Sequence, residues 1–258
     1  MKIYSWNIFY RNPQLESAYQ FIKNLDFDIL CLQEVPEDFL ERLKKLSCHI
    51  AFAPEVDRLF SHGIEQNFLV ILSRHPVIRT EKFSLPMPHI PRRTRLLVKA
   101  MRPLHWSSVR NRHGFYADIA PNGLSSIIRV FCLHLFLAHP EVRRNEFDIA
   151  MKHLDTKFPA IVCGDLNVLD SPFASSFNWL LGGRPSDAFA WRRERREIER
   201  QFAKHRLLNP LSGKATYLFP RCQLDHILVS RQLPVERAVV IPERVGSDHN
   251  PIQVTIGF

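Results

Sequence analysis

The stretch AIVCGDLN, residues 160–167, runs four apolar residues into a glycine, an aspartate, a leucine and an asparagine. The apolar run reads as a strand buried in the core. Side chains two apart point the same way from an extended backbone, so Asp165 and Asn167 lean toward one place. A core strand that ends this way implies a polar point beyond its tip.

The same ending recurs along the chain. Strand signals at 2–7, 29–32, 127–133 and 160–163 run into Asn7, into Gln33-Glu34, into His134 and into Asp165 with Asn167. Two later strands are instead preceded by polar groups: Asp225 before the apolar run 227–229 of the segment 225–230, and Ser247-Asp248-His249 before 252–256 of the segment 251–256. Further strands are expected at 67–73, 95–101 and 237–241. Helices are expected after Asn12-Pro13 (Leu15, Ala18, Ile22 and Leu25 inward), after Pro36 and over 140–158. Two more follow Ser171-Pro172 and span about 191–205. In the last, Arg193–Glu197 and Arg195–Glu199 are read as outward i,i+4 pairs. This mixture predicts an α/β (α+β) fold with mixed or packed sheets and outer helices, organised as a single domain over 1–258.

Size and composition narrow the class. A chain of 258 residues with 45% hydrophobic and 24% charged residues can bury a sizeable core. No apolar run reaches the roughly 18 residues of a membrane helix, and the N-terminus goes straight into strand-like alternation rather than a signal peptide. Five scattered cysteines without a C-x-x-C pair argue against a disulfide scaffold and for a reducing, cytoplasmic setting. A monomer is expected. The net charge of +9 points weakly to a polyanionic partner.

Taken singly, each polar residue has an ordinary structural account: Asn7 and Asn167 in turns, Glu34 in a helix's first turn, His134 in the core, Ser247-Asp248 as a cap. Their repetition at strand ends does not. Glu, Asp and Asn oxygens suit Mg²⁺ or Mn²⁺, and histidines suit phosphoryl oxygens. Asp165 suits the activation of water. Together these residues fit phosphate-ester hydrolysis. H-E-x-x-H, G-x-S-x-G and G-x-x-x-x-G-K-[ST] motifs are absent from the sequence.

The segments SWNI, CLQEV, CLHL, CGDLN, QLDHILVS and GSDHNPI, in that order, resemble the motifs of the endonuclease/exonuclease/phosphatase superfamily, the deoxyribonuclease I-like fold. The match runs from residue 3 to about 256. The resemblance implies a four-layer sandwich: two mixed β-sheets packed face to face with helices on the outer faces. It also implies divalent-metal hydrolysis of phosphodiesters or phosphomonoesters. By analogy Glu34 is the principal metal ligand, with Asn7 beside it and Asp248 near the metal. Asp165 aligns or deprotonates the water, and Asn167 and His134 contact the phosphate. His249 bonds the phosphoryl group and Asp225 orients it. Pro36 after LQEV differs from the Thr-Lys of the exonuclease III branch. The segment is closer to branches with sphingomyelinases, deadenylases and tyrosyl-DNA phosphodiesterases. QLDHILVS also lacks the Trp-Cys-Asp-Arg pattern of inositol polyphosphate 5-phosphatases.

Residues 82–116 contain no acidic side chain. Arg92, Arg93, Arg95, Trp106, Arg110 and Arg112 therefore form an expected substrate-binding set, basic groups interleaved with aromatics as on a nucleic-acid track. Residues 103–123 are read as a long loop; a basic hairpin facing solvent is the competing account. A nuclease acting on DNA or RNA heads the functional expectations. A phospholipid-headgroup or small-metabolite hydrolase and a non-catalytic nucleic-acid-binding protein are the alternatives.

Overall fold

The computed structural model describes residues 1–257 except 61–62, 88, 102–107, 124–125, 138, 218 and 220. One sheet contains β1 (Lys2–Asn7), β2 (Ile29–Pro36), β3 (His49–Leu59), β4 (Ile64–Ser73), β6 (Ser108–Arg110), β12 (Val235–Val240) and β13 (Ile252–Ile256). Its seven strands run in the order β12-β13-β1-β2-β4-β3-β6. The other contains β5 (Val77–Ser84), β7 (His113–Ile119), β8 (Ile128–His134), β9 (Ala160–Asp165), β10 (Leu207–Leu208) and β11 (Asp225–Ser230). Its order is β10-β11-β9-β8-β7-β5. Both sheets are mixed: β1 with β2 and β8 with β9 are parallel pairs, the other pairings antiparallel.

Side-chain parity makes the layers. Ile3, Ile29, Cys31, Cys132, Cys163 and Ile227 meet in one buried cluster between the sheets. Their neighbours of opposite parity face outward. Tyr4, Trp6, Leu30 and Leu32 pack with Ala18, Ile22, Phe39 and Leu40, which lie on α1 (Leu15–Asn24) and α2 (Glu37–Leu43). On the second sheet Phe131, Leu133 and Val162 pack with Phe147, Met151, Ile198 and Phe202, on α4 (Pro140–Met151) and α6 (Trp191–Lys204). Strands covered on both faces need unbroken apolar runs, which explains their reading in the sequence. The four layers are as expected. All five cysteines are outside disulfides, and three fill the inter-sheet layer as small apolar side chains.

The segment 95–101, expected as a strand, is helical: α3 spans Arg92–Met101. Arg, Leu, Lys, Ala and Met favour helix intrinsically, and the segment has no strand partner to override that preference. The stretch expected as a loop over 103–123 instead contains β6 and β7, and β7 pairs with β5 and β8. The helix expected over 140–158 stops at Met151. The helix after Ser171 is α5 (Pro172–Leu180), with Ser171 Oγ accepting from the Ala174 amide at 3.1 Å. The pairs Arg193–Glu197 and Arg195–Glu199 are present at 3.8 Å. Arg195, however, turns inward to Asp170, Gln223 and His226 instead of lying on the outer face. Among the described residues no helix is long and apolar enough to cross a membrane.

Gly164 marks where β9 leaves the core. Its φ is +148°, and a Cβ there would stand 1.9 Å from the Leu133 carbonyl oxygen of the adjoining strand. Only glycine permits both the torsion and the approach. Gly164→Ala should therefore cost about 3 kcal/mol or more, in the upper part of single-substitution effects. Urea denaturation of the two proteins measures it, and an unchanged midpoint would contradict this packing.

Candidate active site

The inter-sheet stripe turns polar at one rim. Cys132 is followed on the same face by His134, and Cys163 by Asp165; in the strand register His134 is opposite Asp165, and Asp165 opposite Asp225. Asn7 ends the matching stripe of the other sheet, and its amide donates to Asp165 Oδ2 at 3.1 Å, joining the two sheets. Glu34 breaks parity. Its φ is +58°, and the β2–β4 register shifts between Leu32 and Val35. This bulge brings Glu34 to the rim although its neighbour Gln33 already faces inward, hydrogen-bonded to Ser5 and Cys132. The Glu34 amide donates to Glu55 Oε2 at 2.7 Å, and its carboxylate accepts from the Tyr10 amide at 3.1 Å.

Two histidine–carboxylate pairs face Asp165. His249 Nδ1 is 2.9 Å from Asp225 Oδ2, and His134 Nδ1 is 2.6 Å from Glu55 Oε1. The opposite ring nitrogens, Nε2 of His134 and of His249, lie 3.6 and 3.7 Å from Asp165 Oδ2. Burial opposes the charged form of each imidazole, but the surrounding carboxylates outweigh it. His134 is raised to about 9 through Glu55, Asp165 and Glu34, and His249 to about 10 through Asp225, Asp165 and Asp248. At neutral pH both rings are cationic and donate from both nitrogens. Burial raises the Asp165 carboxyl, and the two histidines only partly offset it. For Glu34 the balance is reversed. Burial pushes it up, but Arg58, His134, the Tyr10 amide and His249 hold it below the usual carboxylate range.

The remaining predicted residues also reach this rim. Asn167, at φ +53°, donates from its side chain to the Leu135 carbonyl and from its backbone to Asp165 Oδ1. Asp248 accepts from the Tyr217 hydroxyl at 3.3 Å; its other oxygen, Oδ1, is buried without a hydrogen-bond partner among the described residues and lies 3.9 Å from His249 Nε2. Burial, reinforced by nearby Glu34, raises the Asp248 carboxyl. A carboxylate oxygen without a hydrogen-bond partner suits a hard divalent cation, and Glu34 and Asn7 line the same cavity as Asp248, so the three fit the implied metal. Two other acidic–histidine groupings, Glu34–Glu55–His134 and Asp165–Asp225–His249, have donor atoms within 4.8 Å of one another. In each, an imidazole nitrogen is already committed to a carboxylate, so they are better described as hydrogen-bonded pairs.

The predicted substrate-binding set is largely not assembled here. Arg112 lines the site but is buried, ion-paired with Glu146 and donating to the His134 carbonyl at 2.9 Å. It braces the strand end instead of presenting a charge, because a buried guanidinium needs a counterion. Arg110 sits 3.7 Å from Asp57, and Arg93 donates to the Gly183 and Trp179 carbonyls. Arg92 and Arg95 are exposed on α3, away from the cavity lining. Trp106 lies outside the described residues.

Sequence reasoning missed Glu55, Arg58 and Tyr217. Arg58 stacks 3.9 Å over the Tyr10 ring and reaches Glu34 Oε1 at 3.0 Å. Glu55 was detectable in principle: Ala51, Ala53 and Glu55 alternate on one buried face, and a carboxylate there ends an inward stripe. Also missed was the apolar part of the cavity. It has a volume of about 590 Å³, and Phe136, Leu137, Phe177, Leu181 and Phe219 line it together with the polar cluster.

Paired mixed sheets with a carboxylate–histidine cluster at one rim define a class of α/β sandwich hydrolases. The chain belongs to the endonuclease/exonuclease/phosphatase family, whose profile matches residues 4–249. Members of this family hydrolyse phosphoesters. Similar solved structures include an endonuclease/exonuclease/phosphatase from Beutenbergia cavernae, 18% identical, TM-score 0.69, covering 100% of this chain and 72% of that one. A mannosyl-6-phosphatase from Bacteroides thetaiotaomicron is 20% identical, TM-score 0.65, with 100% of each chain covered. A 3′ phosphatase from Neisseria bound to a product DNA hairpin is 15% identical, TM-score 0.62, again over 100% of each chain. At these identities the likeness is one of fold. A search of curated proteins finds no match to the chain.

The histidine pairs predict a pH effect on stability in the absence of metal. Both rings are raised from 6.5, to about 9 and about 10, so above pH 6.5 the folded chain binds protons that the unfolded chain has released. Stability is then fully present below 6.5 and declines as pH rises through the folded values, by several kcal/mol. Urea denaturation in EDTA across this window should show a falling midpoint and a flatter dependence in His249→Gln. A rising midpoint would contradict the assignment.

Proposed function

We propose that the protein is a divalent-metal-dependent phosphodiesterase whose substrate carries an apolar or aromatic substituent on the phosphate. The supporting observation is the cavity itself, in which Asp165, flanked by His134 and His249, adjoins an aromatic and aliphatic wall. An organic ester group of the substrate would cover that wall, which free phosphate would leave bare.

Glu34, Asn7 and Asp248 would hold Mg²⁺ or Mn²⁺, which when bound supplies a Lewis acid for the phosphoryl oxygen and the leaving group. The chain's own groups do the rest. Asp165 Oδ2 orients the attacking water and accepts its proton, a task suited to a carboxylate raised by burial. The Nε2–H groups of His134 and His249 donate to non-bridging phosphoryl oxygens, where negative charge grows in the transition state. Glu55 and Asp225 hold the rings in place through Nδ1. Asn167 fixes the loop beyond β9 through Leu135, and Tyr217 steadies Asp248.

Nucleic acid is the second reading for the substrate, supported by the net charge of +9 and the exposed Arg92 and Arg95. The Neisseria relative is described with a DNA product. Hydrolysis of bis(p-nitrophenyl) phosphate with Mn²⁺ should be abolished by EDTA. Asp165→Asn should lower kcat about 100-fold or more, and Glu34→Gln should raise the metal concentration needed. Undiminished turnover in EDTA or in Asp165→Asn would overturn the proposal. A parallel assay on labelled single-stranded DNA separates the two substrate readings.

A further inference from the structure

Helix α5 is built inside out. Two of its three polar side chains, Ser175 and Asn178, are fully buried, while Ser176 is exposed and turned back onto the Phe173 carbonyl at 2.7 Å. Ser175 Oγ is 2.9 Å from the Asp187 carbonyl, and Asn178 accepts from Arg143 at 3.0 Å and donates to Glu194 at 3.2 Å. Its outward face instead carries Phe173 (52% exposed), Trp179 (43%) and Leu180 (41%). A surface helix ordinarily reverses this arrangement. The helix also contains no charged residue.

The patch continues in two directions. Phe173 packs against Phe177 and Phe219, ring centroids 5.6 and 5.2 Å apart, and both of those residues line the proposed catalytic cavity. Phe219 itself is 70% exposed. On the other side α3 lies alongside, with Thr94 Oγ1 donating to the Leu180 carbonyl at 3.3 Å and Arg93 over the Trp179 ring. That helix exposes Leu96 (68%), Arg92, Arg95 and Lys99, and it contains no acidic residue.

We infer that α5, α3 and Phe219 form a docking surface for an anionic phospholipid bilayer, which brings a lipid headgroup phosphoester to the cavity. This inference rests on the phosphodiesterase reading for its substrate, though not for its binding step. Phe, Trp and Leu enter the boundary between headgroups and acyl chains, and the adjacent cations meet lipid phosphates. A nucleic-acid strand fits less well. It needs a cationic groove beside its stacking rings, whereas α5 offers no charge, and Leu96 and Leu180 have no π-face.

The full chain, kept in EDTA, is sedimented with vesicles of phosphatidylcholine alone and of phosphatidylcholine mixed with phosphatidylglycerol. It should pellet with the mixed vesicles. The combined variant Phe173→Ser, Trp179→Ser, Leu180→Ser should bind at least about tenfold more weakly. Arg92→Gln, Arg95→Gln, Lys99→Gln should lose the preference for the anionic lipid. Both variants should keep the parent melting temperature, and the apolar variant its hydrolysis of bis(p-nitrophenyl) phosphate; if the apolar variant melts early, Phe173→Ser alone replaces it. Absence of vesicle binding, or binding insensitive to the apolar variant, overturns the inference. So does loss of single-stranded oligonucleotide binding in that variant where vesicles never bind, or a dimer that the variant converts to monomer. Because binding is read without metal or turnover, its failure is separable from failure of the hydrolytic reading.

Discussion

A carboxylate held between two cationic imidazoles governs this structure. Asp165 is 2% exposed and closes the gap between the sheets at their polar rim. Desolvating an isolated charge costs several kcal/mol, so such a residue persists only where opposite charges and hydrogen bonds offset it. Here the offset comes from His134, His249, the Asn7 amide and the Asn167 backbone. Each histidine then requires its own carboxylate, Glu55 or Asp225, and the pairing spreads from the rim into both sheets. Removing one member strands a charge elsewhere, which ties the register of several strands to the integrity of one site.

That dependence explains where the backbone is strained. A one-residue slip in β8 or β9 would turn His134 or Asp165 to the outer face. Gly164 lets β9 pass the Leu133 carbonyl closely enough to keep its register. Glu34 accepts a positive φ because the bulge is the means of placing two consecutive side chains, Gln33 and Glu34, on the same side of the strand. Non-glycine residues in that region cost of order 1–3 kcal/mol, a penalty met here by the Glu55 and Tyr10 hydrogen bonds.

The basic residues divide differently from those of the rim. Arg112, Arg93 and Arg110 are used internally, against Glu146, the end of α5 and Asp57. The cavity draws its binding surface from aromatic and aliphatic side chains of loops and α5 instead. In the proposed mechanism, phosphate affinity therefore falls to the polar rim, and selection of the rest of the substrate to an apolar wall that continues onto the protein's surface.

The sequence by itself determined the layers and the list of rim residues. Apolar runs covered on both faces, each ending in Asn7, His134 or Asp165, carry their meaning locally, because strand parity is a two-residue rule; Glu34 reaches the rim through the β2 bulge instead. The role of Arg112 and the partner of Glu55 were decided only in three dimensions. Arg112 is one basic residue among many until Glu146 arrives beside it, and Glu55, which ends an inward stripe, meets His134 only where the bulged β3 sets it. Ion pairing and burial depend on neighbours distant along the chain, which no local pattern encodes. The same holds for the reversed polarity of α5: its Ser175 and Asn178 became interior groups only because Asp187, Arg143 and Glu194 were there to receive them.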